Sequence, residues 1–249
     1  MDVNAYLERI GMERPAVLDR DALDALTKAH QCQVPFEDLE CNYLKNRVFL
    51  DPDRLFDKIV NRKRGGYCFE LNGIFKNFLV ELGFDAFCVF CRVGSMDRPV
   101  MHRGIFVKLP DGMYYTDVGF GGPMPFGCVK FEEGLKQQIG EETFWFEKAD
   151  DYWWNLRRID EAGESASVLY MTTQPQPDIE FESMNYFCCT NPEGRFVTLT
   201  IVNRKTVDGY YGIMDRTFTV KKGSEKTEKQ IESDEEFRTI LEKYFDIRL

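Results

Sequence analysis

Histidine is scarce in this 249-residue chain, occurring only as His30 and His102, so any chemistry that needs an imidazole base is a choice between two positions. Zinc-type ligand spacing is also missing. One C-x-x-C, Cys88 to Cys91, lies in an apolar run with no second pair to complete it, and the vicinal Cys188-Cys189 stands alone. A metal or redox module is therefore disfavoured, and no metal is expected. There is no excess of positive charge: 32 Lys and Arg stand against 42 Asp and Glu, a net −10. Nucleic-acid and anionic-membrane surfaces need clustered cations to displace counterions, so neither partner is expected. No apolar run is long enough to cross a bilayer, and Met1 to Gly11, with Asp2, Glu8 and Arg9, has no apolar leader core. The expectation is an unexported, cytoplasmic protein whose eight cysteines are reduced thiols, most of them small buried hydrophobes.

Aromatic residues are plentiful. With Phe used 21 times, the chain can bury a large core without staples. The first ~85 residues read as helical by apolar spacing. Leu23 and Leu26 share a face in 22–31, and Leu55, Phe56, Ile59 and Val60 form a second stripe after Asp51-Pro52. The clearest helix follows Gly65-Gly66: Leu71, Ile74, Phe75, Phe78, Leu79 and Leu82 recur at helical spacing until Gly83 stops it, which puts Cys68 at or beside its start. From Phe84 the texture changes to short strand-like runs at 87–93, 104–109, 113–118 and 167–172, broken by turns such as Pro110-Asp111-Gly112. A second β unit is expected over 195–203 and 210–220, with a turn at Asp208-Gly209. A charged, solvated linker is expected over 221–228 and a closing helix over 234–245. Helices, then strands, then a mixed tail imply an α+β protein.

Cys68 is the candidate nucleophile. A thiol at a helix N-terminus, entered by two glycines and preceded by Arg62, Lys63 and Arg64, is expected to have its pKa lowered by unpaired N–H groups and nearby cations. The plainer alternative is a buried structural cysteine. Of the two histidines, His30 lies in an expected helix and suits a core-edge or capping place. His102 opens a strand that returns, after the 110–112 turn, towards Asp117. A turn centred on Asp111-Gly112 leaves the register only approximate, so a longer loop or a bulge is expected to bring the imidazole to the carboxylate. Asp117 would then fix the tautomer and leave the other ring nitrogen to face Cys68.

At this point the chain resembles a known family. Arg64-Gly65-Gly66-Tyr67-Cys68-Phe69-Glu70-Leu71-Asn72, then His102-Arg103, then Asp117-Val118-Gly119-Phe120-Gly121, in this order, resemble the arylamine N-acetyltransferases. The likeness extends to 6–11, 34–39, 185–196 and 206–219. It implies a helical domain over 1–84 carrying Cys68 and an antiparallel β-barrel over 85–190 carrying His102 and Asp117. It also implies an α/β lid over 191–249 and a cysteine-protease-like core.

The resemblance further implies acetyl-CoA as donor and a small arylamine or hydrazine as acceptor, with O-acetylation of N-hydroxyarylamines as an extension. Cys68 would be the acetylated nucleophile of a ping-pong cycle, His102 the base and acid, and Asp117 the orienting carboxylate. The run Gly119-Phe120-Gly121-Gly122 resembles the family's glycine-rich segment near the cofactor's phosphates and pantetheine arm, although glycines after a strand also suit a plain turn. Phe36, Tyr67 and Phe69, with Phe120, are candidates for lining an aromatic acceptor site. Cys188, Cys189 and Gly194 depart from the family, whose members often carry small hydroxyl residues there. A thiol hydrolase or an amide synthase would use the same three groups, and a catalytically silent scaffold would have no need of them.

Overall fold

The computed structural model describes residues 1–249. Helix α1 (Val3–Ile10) is capped by Asp2, whose carboxylate accepts from the N–H groups of Asn4 and Ala5 at 3.0 Å. Helix α2 (Arg20–Gln33) follows, then β1 (Phe36–Glu37), α3 (Leu39–Asn42) and α4 (Pro52–Phe56). The helix expected around Leu55 to Val60 changes character midway: α4 runs into a π-helical turn, Asp57–Asn61. Helix α5 (Cys68–Leu82) has Leu71, Ile74, Phe75, Phe78 and Leu79 wholly buried and ends at left-handed Gly83. Each such side chain contributes about 1.5–3 kcal/mol when removed from water, so α5 is the pillar of the first core.

His30 sits inside that core rather than at its edge. It packs on Tyr6 and Phe75, with ring centroids 6.0 and 5.1 Å away, and neither ring nitrogen has a hydrogen-bond partner. Burial, aided by the charge of Arg9, pushes its pKa down to about 3. The folded chain therefore holds His30 neutral, while the unfolded chain takes up a proton below the ordinary value of about 6.5. This contribution to stability is complete above that value and is lost as pH falls towards 3. Denaturant titrations at pH 7.5 and pH 5 should show the wild type losing roughly 2 kcal/mol more than His30→Phe between the two. Equal losses would show that His30 does not titrate between the two states.

The middle of the chain forms one antiparallel sheet. Its strands are β2 (Asp85–Val93), β3 (His102–Leu109), β4 (Gly112–Thr116), β5 (Val129–Lys130), β6 (Gln137–Ile139), β7 (Glu142–Lys148), β8 (Trp154–Ile159) and β9 (Ser165–Met171). Their order is β5-β4-β3-β2-β9-β8-β7-β6. The Gln137 side chain accepts from the Lys130 N–H at 2.8 Å and donates to the Lys130 carbonyl at 2.9 Å, so the ends nearly meet as a barrel. Phe106, Tyr115, Phe144, Phe146, Leu156 and Leu169 fill its interior.

The remainder comprises α6 (Glu180–Thr190), α7 (Arg195–Thr198), β10 (Ile201–Thr206), β11 (Gly209–Met214), β12 (Thr217–Lys222), β13 (Glu225–Gln230) and α8 (Asp234–Phe245). The second sheet has the order β1-β10-β11-β12-β13, and α8 packs Phe237, Leu241 and Phe245 against it. Two expectations are corrected. The strand expected over 195–203 begins as a helical turn, because the Gly194 carbonyl accepts from the N–H groups of Val197 and Thr198 at 3.0 Å; the strand starts only at Ile201. The charged stretch 221–228 is a β-hairpin, not a linker: Gly223 supplies a left-handed turn (φ 56°) and Lys222 pairs with Glu225.

Candidate active site

The chain enters α5 under tight steric control. A Cβ on Gly65 would lie 2.0 Å from the Pro35 carbonyl oxygen, so only glycine lets the two strands of chain pass. The Tyr67 N–H donates to the Glu70 carboxylate at 3.1 Å, and the Leu71 N–H to the Tyr67 carbonyl at 2.9 Å, making Cys68 the first helical residue. Its thiol donates to the Met101 carbonyl at 3.9 Å, and the N–H groups of Arg103 and Phe69 face the sulfur.

The lowered thiol pKa expected for Cys68 is not what this environment produces. Burial pushes the thiol well above its ordinary value, Cys188 and Asp117 push it further, and only the two N–H groups oppose them. Two of the three cations before Gly65 are paired elsewhere, and the third, Lys63, is exposed. Arg64 is taken by Glu37, with its Nε and terminal nitrogen 3.0 and 2.8 Å from one carboxylate oxygen. Arg62 pairs with Asp57 at the surface (2.9 Å), and Lys63 contributes its carbonyl to Arg9.

His102 and Asp117 meet without a bulge or a longer loop. The β3–β4 hairpin turns on Pro110-Asp111 alone and pairs Leu109 with Gly112 and Ile105 with Thr116. Continuing that register puts Asp117 opposite Gly104, two residues from His102 and therefore on the same face. The contact is diagonal, within reach of long side chains. His102 Nε2 donates to Asp117 Oδ2 at 2.6 Å, and both side chains are buried.

Asp117 is held from four directions. Oδ2 also accepts from the Tyr115 hydroxyl (2.7 Å), while Oδ1 accepts from Asn72 Nδ2 and the Gly119 N–H, each at 2.9 Å. Asn72 in turn accepts from the Val118 N–H at 2.8 Å and donates to the Arg103 carbonyl. It lies four residues after Cys68, on the same face of α5, so one helix positions both the thiol and the carboxylate's clamp. That spacing was a readable signal in the sequence. Gly104 leaves the space that the Tyr115 hydroxyl occupies: a Cβ there would come within 2.9 Å of it.

Cys68 and His102 line one cavity of about 470 Å³. Phe36, Phe120, Gly121 and Gly122 also line it, and Phe120 meets the His102 ring edge-on at 5.3 Å. Tyr67 and Phe69 do not reach it. Tyr67 is wholly buried with its hydroxyl on Asn185, and Phe69 packs edge-on against Tyr67 (5.5 Å) inside the first core. Gly119 is absent from the lining too; it packs on the Cys68 backbone, where a Cβ would approach Cα to 2.9 Å. Gly121 is left-handed (φ 70°) and lies against the Phe36 ring. Met101 and Val168, which no local motif marks, complete the apolar wall together with Phe187, Cys188 and Phe196 from the 185–196 stretch. Cys88 accepts from Arg103 Nε at 3.0 Å, Cys91 is buried in the barrel, and all eight cysteines are free thiols.

A family model described as N-acetyltransferase matches residues 19–249. The arylamine N-acetyltransferase of Mycolicibacterium smegmatis is 34% identical over 228 residues, covering 88% of this chain and 82% of that protein. The chain belongs to the arylamine N-acetyltransferase family. It is thus an acyltransferase, and its α+β architecture with a nearly closed barrel is that of arylamine N-acetyltransferases of known structure. The M. smegmatis structure superposes with a TM-score of 0.92 at 32% identity over 100% of this chain and 93% of that one. Mycobacterium marinum arylamine N-acetyltransferase in complex with CoA superposes with a TM-score of 0.90 at 27% identity over 99% and 93%. A Salmonella typhimurium relative, named arylamine N-acetyltransferase / N-hydroxyarylamine O-acetyltransferase, is 29% identical over 211 residues, 83% of this chain and 74% of that protein.

Proposed function

We propose that this enzyme takes an acetyl group from acetyl-CoA, holds it as a thioester on Cys68, and passes it to the nitrogen of an arylamine or arylhydrazine. By extension it would also pass it to the oxygen of an N-hydroxyarylamine. The observation that carries the reading is the fourfold-anchored Asp117 bonded to His102 Nε2, with His102 and Cys68 opening on one cavity. The cavity suits the donor chemically. Its walls are apolar, Gly121 and Gly122 let the Phe36 and Phe120 rings pack closely along the wall that a pantetheine arm would follow, and Arg98 and Arg195 supply positive charge for an anionic group.

In this cycle the Cys68 proton moves to His102 Nδ1, the nitrogen left free when Nε2 faces Asp117. Because burial disfavours a lone thiolate at Cys68, the productive state is a thiolate–imidazolium pair formed together, its cation balanced by Asp117. The thiolate adds to the acetyl carbonyl, the carbon–sulfur bond to CoA breaks, and His102 returns the proton to the departing sulfur. The amine then adds to the acetyl-Cys68 carbonyl, His102 takes the amine proton, and Cys68 leaves as the thiol. Backbone N–H groups at the start of α5, including that of Cys68, serve the oxyanion. Exchange between thioesters is nearly balanced in energy, so the proposed cycle needs neither metal nor ATP.

The division at 84 and 190 is proposed alongside, with 191–249 as the lid; the barrel interior and the sheet backed by α8 have buried clusters of their own, while the first core also takes in Ile105, Val107, Phe181 and Ile201 from beyond residue 84. Eight free thiols support a cytoplasmic setting.

Intact mass after brief incubation with acetyl-CoA alone tests the cycle. One acetyl adduct should form on the wild type, be absent from Cys68→Ala and His102→Ala, and disappear onto an added arylamine. Steady CoA release with no acetylated amine would replace transfer by hydrolysis, and an adduct on Cys68→Ala would remove Cys68 from the role.

A further inference from the structure

We propose that a second cavity, of about 710 Å³ and sharing no lining residue with the catalytic one, binds a small, multiply charged oxyanion of the phosphate type. In a chain of net charge −10, five cations line it: Arg47, Arg54, Lys58, Arg62 and Arg64. Its four carboxylates are Glu40, Asp53, Asp57 and Glu70, and three of them already have partners. Lys58 holds Glu70 at 2.7 Å, Arg62 holds Asp57 at 2.9 Å, and Glu40 receives Asn46 at 3.0 Å and Arg64 at 3.5 Å.

The two arginines at the rim are the uncommitted ones. Neither Arg47 nor Arg54 joins an ion pair; their guanidinium carbons sit 5.0 and 4.3 Å from the half-exposed Phe49 ring. Arg47 also lies 5.5 Å from the Tyr186 ring. Aromatic faces thus hold two planar, five-donor forks beside one concavity without satisfying their hydrogen bonds, the arrangement suited to bidentate capture of phosphate oxygens.

The floor is built rather than incidental. The Lys58 and Arg64 side chains are 7% and 8% exposed and still line the cavity. One wall is the π-helical turn Asp57–Asn61, a distortion concentrated at functional sites, and it is followed by Lys63 in the left-handed region (φ 53°), uncommon for a residue with a side chain. The two lining guanidiniums outside any ion pair, Arg47 and Arg54, carry the two positive charges that an anion of charge about −2 would meet.

Calorimetric titration of the full chain with inorganic pyrophosphate, at constant ionic strength, tests the site. Saturable binding is expected, and it should weaken at least ~10-fold in the double variant Arg47→Ala, Arg54→Ala, since each charge-assisted contact is among the stronger hydrogen bonds. Both residues are exposed, so the variant should fold, and the rate of acetyl-Cys68 formation should be unchanged. Binding that the double variant retains in full would overturn the proposal by locating the anion elsewhere, as would the absence of saturable binding to the wild type.

Discussion

Asp117→Asn is expected to lower kcat/KM by about three to four orders of magnitude while leaving the fold intact. The carboxylate accepts four hydrogen bonds, two on each oxygen, and one of them fixes His102 with its proton on Nε2. An amide in its place presents NH2 to one side of this cage of donors. If that group faces His102, the imidazole must turn its lone pair to the amide and carry its proton on Nδ1, the wrong nitrogen to receive one from Cys68. In either orientation the negative charge that balances the imidazolium is gone, in a site with Asp117 only 1% exposed. Single-turnover acetylation of Cys68, followed by mass, isolates this step from acceptor chemistry. A fall smaller than about tenfold would mean that His102 is oriented by its packing against Phe120 and not by Asp117.

The second large effect concerns stability. Lys58→Met should destabilise the protein by about 3–5 kcal/mol, read as a shift in the urea midpoint, because it leaves buried carboxylates without their cation. Lys58 Nζ lies 2.7 Å from Glu70 and 3.8 Å from Glu37, and both side chains are at most 3% exposed. Burial pushes the Glu70 pKa up even with Lys58 present, so losing the lysine drives Glu70 towards its protonated form. Glu70→Gln in the same chain should recover part of the loss, since the amide oxygen still accepts from the Tyr67 N–H and needs no counter-charge. No recovery would show that Glu37, and not Glu70, is the group Lys58 chiefly serves.

What could be read from the sequence was what local periodicity encodes. Helix α8 lies over 234–245 as its apolar spacing required, α5 stops at Gly83, and Cys68 begins it. The approach of His102 to Asp117 was readable in outcome but not in route: a diagonal across a two-residue hairpin does what an expected bulge would have done. Long-range partners escaped. Nothing near Arg64 announces that Glu37, 27 residues earlier, would take its charge away from the thiol. The same holds for Tyr67 and Phe69, which flank Cys68 in sequence yet point into the core, because the first two turns of α5 are buried on every side and adjacency to Cys68 carries no direction. Strands β6 to β8 were missed although Phe144 and Phe146 alternate inward around Trp145, a period of two that could have been found.

The outer strand of the second sheet has a consequence for how copies of this molecule meet one another. Strand β13 pairs only with β12, every residue from Glu225 to Gln230 is exposed, and its far edge carries backbone groups with no neighbouring strand. Such an edge is a template on which another chain can build. Here it reads Glu-Lys-Thr-Glu-Lys-Gln, with no large apolar side chain to anchor an incoming strand and charges that must lose their water before one can dock. The same hairpin that extends the sheet therefore keeps it from growing into an aggregate.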